Sequence, residues 1–460
     1  MSVLRGGDEP YQVGPVSRAK EAVFSRLWPV PTLMVSVAVV AGYLTPRVEQ
    51  ALDDGVLGPL ERFVFSGGPD AARGVLASIA GSLITVTSLT FSLTVVTLQL
   101  ASSQFTPRLL RTFVSDVFTQ VTFGLFIGTF AFALVVLRTV RSPDEGDAFV
   151  PRAAVTAAVL LMVVSAGQLV LFIGHLVAQI QVERIVERVR HEAEEALERV
   201  LPPLEEAEGA VAPDPPPEAR PLLARTTGRV QAVLESSLRD AAVRHHAVVL
   251  LDAGPGEPVV AGTPVALAWP AGPEPVDHDA LQEALDEGLL VVGAQRTDQQ
   301  DVEYGLRQLA DISARALSPG TNDPTTAVHV LDHVSGVLCR LCGRALEPVV
   351  WTDDDDRPRV YARRRSFATV LETALGQTRR YGADEAAVVV RLLRLLREVA
   401  WCARTDEQRE AVASQLTRLE AAWTEGLSGS TDRAAAARLG AQVRETLAGR
   451  WSPSADVASG

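Results

Sequence analysis

Lysine and asparagine are almost absent from this chain. Of its 460 residues, with 43 basic side chains, Lys20 is the sole lysine and Asn322 the sole asparagine. Both scarcities, beside abundant Ala, Arg and Gly, are what a GC-rich genome writes. They exclude little about function, yet an asparagine that persists against such a bias marks its position as one to explain. Cysteine is scarce too. Cys339, Cys342 and Cys402 are odd in number and lie in the C-terminal part, which suits a reducing cytoplasm. Positive charge is in deficit: the net charge is −13, which argues against a nucleic-acid partner held by bulk charge. Residues 1–180 hold 12 basic and 12 acidic residues, so the whole acidic excess belongs to residues 181–460.

What the first part has is long uncharged runs, at 27–46, 74–107, 117–137 and 153–182. Each reaches the roughly 20 residues that a helix needs to cross a ~30 Å hydrocarbon core. Residues 1–26 are polar and carry no apolar signal region, so the first run reads as an anchor that stays. Four spans place both termini on one side. With that side cytoplasmic, the inner flanks hold ten Lys and Arg residues and the outer loops six, which favours termini inside. The lipid bilayer is thus the first partner.

The second run is overlong: its 34 residues would extend roughly 50 Å as a helix. It is also rich in hydroxyls. Ser78, Ser82, Thr85, Ser88, Ser92, Gln99 and Ser103 share one face, and Thr87, Thr90, Thr94 and Thr97 form a second stripe nearly opposite. Two readings stand: both stripes serve helix packing, or one packs while the other lines a water-filled path in a homo-oligomer. In the fourth run, Gln168 and His175 are the polar interruptions. His175 is either a proton or gating element or a neutral histidine bonded to a neighbouring helix.

Residues 181–201 read as a charged helix that Pro202 and Pro203 stop, and 202–221 as an exposed linker. A small α/β unit follows, with strands at 228–233 and 247–251, a helix at 234–246, then a turn and two short strands. Its glycines lack the spacing of a dinucleotide fingerprint or phosphate loop. Residues 297–317 read as a helix opened by a Thr297/Gln300 capping box. In the loop 318–324, Gly320 is expected to take unusual backbone angles, and Asn322 or Asp323 to cap the next helix with Pro324 at its first position. Alternatively Arg307, Gln308, Asp311, Arg315, Asn322 and Asp323 surround a polar ligand or meet the membrane domain. His329, His333, Cys339 and Cys342 tempt a metal reading, but on one helix His329 and Cys339 lie ~15 Å apart along the axis, too far for ligand bonds of ~2 Å. The run 353–356 is a solvated turn, 366–450 a helical bundle, and 452–460 a disordered tail.

Three segments carry a resemblance. LQLASSQFTPRLLR (98–111), QRTDQQDVEY (295–304) and RQLADISARALSPGTNDPTTA (307–327) resemble the bacterial DUF2254 family of predicted membrane proteins, over about residues 20 to 400. FIGHLVAQIQ (172–181) is similar to the family's histidine-bearing end of the fourth span, with Gly174 where a second histidine is expected. The resemblance implies architecture and location but no reaction.

The expected protein is mainly α: a cytoplasmic segment to residue 26, four transmembrane helices over 27–182, a charged helix and linker over 183–222, an α/β subdomain over 223–296, a helical domain over 297–450 and a tail. The expected function is an oligomeric ion or small-solute conduit with a cytoplasmic regulatory domain; the alternative is a non-conducting membrane scaffold or sensor that binds a ligand or partner through its cytoplasmic domain. No nucleophile elbow, metal set or cofactor motif is found, so neither an enzyme nor a cofactor is expected. Ser82, Thr85, Ser88, Ser92, Gln99 and His175 are the candidate pore or packing residues.

Overall fold

A computed structural model describes residues 28–51, 64–104, 116–142, 149–179, 181–207, 211–293, 296 and 300–452. The chain divides into two units between Arg184 and Ile185. In the first, α1 (Pro29–Ala51), α2 (Pro69–Gln104), α3 (Val117–Leu137) and α4 (Arg152–Gln179) are all long and apolar enough to cross a membrane. Helix α3 is the hub, packing on each of the other three. Leu76, Ile79 and Leu83 of α2, Phe126, Phe132 and Val136 of α3, and Val155 of α4 form its core. Gly124 and Gly128, one turn apart on α3, let α1 approach: a Cβ at Gly124 would strike Met34, and one at Gly128 would sit 3.5 Å from Ala38. Small residues at this spacing are the usual means of close helix packing where water does not drive association.

Polar pairs join α3 to α4. His175 Nε2 meets Asp116 Oδ2 at 2.9 Å, Gln168 Nε2 donates to Thr122 Oγ1 at 2.7 Å, and Thr129 and Ser165 hydroxyls lie 3.4 Å apart. Asp116 also caps α3, accepting from the Thr119 amide. At the other end of the unit, Glu49 accepts from the Ala153 amide in the first turn of α4, where unpaired amides favour a carboxylate.

The second unit begins in α5 (Val182–Val200). A five-stranded sheet follows in the order β1-β5-β3-β8-β7, built from β1 (Arg220–Leu223), β3 (Ala247–Leu251), β5 (Pro264–Pro270), β7 (Val349–Thr352) and β8 (Pro358–Ala362). Among the described strands of this sheet only the β3–β8 pair is parallel. A second sheet, β4-β2-β6, joins β2 (Gly228–Val233), β4 (Pro258–Val259) and β6 (Leu290–Gly293). Helices α6 (Glu235–Arg244) and α7 (His278–Ala284) flank the sheets, and their leucines close a core with Val230, Val249, Val265 and Val360. The remaining helices are α8 (Glu303–Ala316), α9 (Pro324–Leu341), α10 (Phe367–Tyr381), α11 (Ala386–Cys402), α12 (Asp406–Gly426) and α13 (Ser430–Leu447). They pack as a bundle through α8–α9, α9–α11, α8–α10, α10–α12 and α11–α13 contacts.

Several expectations change. Residues 349–362 are not part of a helical domain: β7 and β8 cross back to complete the first sheet, because Val360 fills its core. The linker likewise ends in a strand, β1. Helix α8 opens at Glu303, not 297, and Gln300 instead clamps the backbone of Val233, accepting from its amide at 2.8 Å and donating to its carbonyl at 3.2 Å. Thr297 and the ends of the chain, 1–27 and 453–460, lie outside the described residues. In the loop before α9 it is Asn322 that takes the left-handed conformation, with φ of 46°, and not Gly320. Asparagine tolerates that region better than other non-glycine residues, which accounts for its survival here. Asp323 caps α9, accepting from the Thr326 amide at 3.1 Å, with Pro324 in the first turn.

Three substitutions test this junction by thermal or denaturant unfolding in detergent. Asp323→Ala loses about 1 kcal/mol. Asn322→Val is destabilised, since a β-branched residue resists positive φ, whereas Asn322→Gly is close to neutral.

Candidate functional site

The two stripes of α2 have different surroundings. Thr87, Thr90 and Thr97 are buried against the unit's own helices and Thr94 is half-buried. Ser78, Ser82, Thr85, Ser88, Ser92 and Gln99 are exposed on the outer surface, flanked by exposed Ile84, Leu89 and Phe91. The side chain of Ser103 lies outside the described residues. Several hydroxyls turn back onto the helix: Thr87 donates to Leu83, Thr90 to Val86, Thr85 to Gly81 and Ser92 to Ser88 carbonyls. Such bonds lower the cost of an apolar setting without consuming the oxygen's capacity to accept. His175 belongs to the α3–α4 ladder, where it also stacks on Phe118 at 4.4 Å. Gly174 is exposed, and a Cβ there would have open space around it.

In the second unit, the six residues expected around a ligand do not converge on one cleft. Gln308 is buried in the bundle, and Asp323 is engaged in capping. Arg307 lines a cleft with Glu372, Arg380 and Arg418, while Asn322 lines another with Leu317 and Glu425. Asp311 and Arg315 follow on α8, Asp311 half-buried and Arg315 exposed. His329 and His333 rings stand edge to face at 4.9 Å on α9. Among the described residues no three His, Cys, Asp or Glu side chains gather as a metal site. Cys342 is buried and its thiol pushed up to about 12 by that burial, so it is an unreactive core group.

A different cleft, of about 280 Å³, has the chemistry of a site. Its walls are Val200, Val233, Leu251, Val349, Trp351 and Val370; its polar groups come from the segment after β8, the turn after β3 and the start of α8. Arg363, Arg364 and Arg365 leave β8 in succession. Arg363 pairs with Asp252 at 3.2 Å. Arg364 donates to the carbonyls of Ala345 and Val200, at 3.2 and 2.9 Å, which ties the end of α5 to the sheet. Arg365 bridges Glu257 at 3.0 Å and Glu303 at 3.2 Å. Beneath them Arg296 and Asp301 form a buried ion pair, and Asp301 accepts from the Glu303 amide. Gly256, with φ of 83°, passes so close that any Cβ would strike this pair.

Glu303 is the unusual group. Its side chain is 4% exposed, Oε2 is held by Arg365, and Oε1 is buried with no hydrogen-bond partner among the described residues. Burial raises its pKa above the usual carboxyl range; Asp301 adds to this, and Arg365, Arg296 and Arg307 oppose it. Burial also raises Glu235 and lowers Arg364, each partly offset by the other. Sequence reasoning passed over this cleft. The available signals were three consecutive arginines in a lysine-free region and the carboxylates inside QRTDQQDVEY, which lie about 60 residues apart in the chain.

The raised pKa has a definite sign. Folded Glu303 binds a proton more readily than in the unfolded chain, so its contribution to stability is present below its ordinary pKa of 4.5 and declines as pH rises through the raised folded value. Glu303→Gln therefore gains stability relative to the parent chain as pH rises from that range towards neutrality, measured as the difference in thermal midpoint across a pH series.

The family model described as predicted membrane protein DUF2254 matches residues 25–398. Uncharacterised proteins of Mycobacterium bovis and Mycobacterium tuberculosis are each 37% identical over 424 residues, covering 91% of this chain and 80% of theirs. No solved structure matches. With four apolar helices of spanning length and a family match across most of its residues, the chain belongs to the DUF2254 family of predicted membrane proteins.

Proposed function

We propose that this protein is an oligomeric conduit for ions or small solutes in the bacterial cytoplasmic membrane, with both termini and the second unit in the cytoplasm and no enzymatic step. The observation that carries this reading is the division of the α2 stripes. A lone span needs no polar face in lipid, and here the threonine stripe is internal while Ser78, Ser82, Thr85, Ser88, Ser92 and Gln99 face outward. Copies of α2 that turn this face towards one another remove it from lipid and create a path lined by hydroxyls. Such a path carries little charge selectivity, so it does not specify an ion. The ten-to-six distribution of Lys and Arg in the flanking segments supports the orientation.

A second reading, a non-conducting scaffold or sensor, draws on the Glu303 cleft. The cleft is bounded by Val200 and Leu201 at the end of α5, which starts three residues after α4 ends in the sequence. A ligand there would act on the segment that follows the fourth span. In either reading the second unit is regulatory.

Flux from liposomes holding the purified protein distinguishes the two. The conduit reading expects solute release that Ser88→Leu with Ser92→Leu reduces severalfold, and a mass in detergent greater than one chain. Absence of release, or a monomer in detergent and nanodiscs alike, overturns it in favour of the scaffold.

A further inference from the structure

We propose that the Glu303 cleft is a binding site for a small organic amine, whose ammonium donates to Glu303 Oε1 while its apolar body lies against the walls of the cleft. The inference shares the premise of the sensor reading, that this cleft takes a ligand, and holds whether or not the membrane unit conducts.

The argument rests on which groups already have partners. Each arginine that lines the cleft is engaged: Arg363 with Asp252, Arg364 with two backbone carbonyls, and Arg365 with Glu257 and Glu303. An anionic ligand would compete with these acceptors for the same guanidiniums. The acceptor side is incomplete: among the described residues nothing donates to the buried Oε1 of Glu303. A buried acceptor in that condition carries its full desolvation cost, and a donor supplied by a ligand removes it. Charge does not oppose a cation: Glu235, Asp252, Glu257, Asp301 and Glu303 line the cleft with Arg363, Arg364 and Arg365, while Arg296 is taken up by Asp301. The apolar walls, Trp351 and Leu251 among them, disfavour a hydrated metal ion and suit an alkyl or aryl body. Proton linkage follows from the same group: ammonium binding favours ionised Glu303, so a carboxyl that enters protonated releases its proton on binding.

The test uses the full-length protein in detergent and three probes of equal length: hexylamine, hexanol and hexanoate. Hexylamine is expected to raise the thermal midpoint and to bind by calorimetry, with hexanol weaker and hexanoate inactive. Glu303→Gln is expected to lower hexylamine affinity about tenfold, the loss of a charge-assisted hydrogen bond. Ala362→Phe, which fills the cleft and leaves Glu303 intact, removes binding as well, and Asp240→Asn on the exposed face of α6 leaves it unchanged. Because hexylamine also enters micelles, the difference between parent and variants is the readout. Stabilisation by hexanoate in preference to hexylamine overturns the amine and keeps the cleft as a ligand site. Equal response of parent and Ala362→Phe to all three probes overturns both.

Discussion

A polar group in hydrocarbon has no water to turn to, and the membrane unit is arranged around that constraint. Helix α3 meets it by pairing with α4 at three levels, Asp116 with His175, Thr122 with Gln168, and Thr129 with Ser165. These pairs fix the rotation of the two helices about their axes, since a turn of either would strand several groups at once. With that rotation set, Gly124 and Gly128 face α1 and the leucine-rich face of α2 closes the core. Thr87, Thr90 and Thr97 of α2 then fall inside, and Thr85 and the serines from Ser78 to Ser92 outside. The outward hydroxyl face is a consequence of how α3 must be oriented.

The second unit obeys the same rule in another medium. Its sheet is held to the end of α5 and to α8 by arginines that leave β8 together, and each reaches a different kind of acceptor: an exposed carboxylate, a pair of backbone carbonyls, and two carboxylates at once. Burying this much charge is tolerable only when every partner is present. Glu303 falls short by a single oxygen. That shortfall, beside Trp351 and the valines, separates this cleft from the one at Arg307, where Glu372 is paired with Arg418.

Much of the architecture was legible because it depends on local pattern. Uncharged runs of spanning length gave the four apolar helices found among the described residues, and short apolar stretches placed β2 and β3 at their observed ends. Asp323 and Pro324 read as a helix start because capping involves residues three apart. The errors were of another kind. Nothing near 349–362 announces that these strands belong with one a hundred residues earlier, for the parallel pairing of β8 with β3 is decided by the shape of the shared core. Gly320 was assigned the strained conformation that Asn322 adopts, since residue type ranks tolerance of positive φ but the direction of the chain into α9 selects the position.

By itself the sequence determined the four spans, the charge imbalance between the two parts, and the chemical character of each face of α2, because these are properties of residues within a few turns of one another. Only the tertiary structure decided which of those faces is internal and which carboxylate lacks a partner. Both depend on groups brought together from distant segments: α4 against α3 in the membrane unit, and residues 363–365 against 301–303 beside the sheet. Burial and hydrogen-bond satisfaction are properties of neighbours in space, and only the folded chain specifies those neighbours.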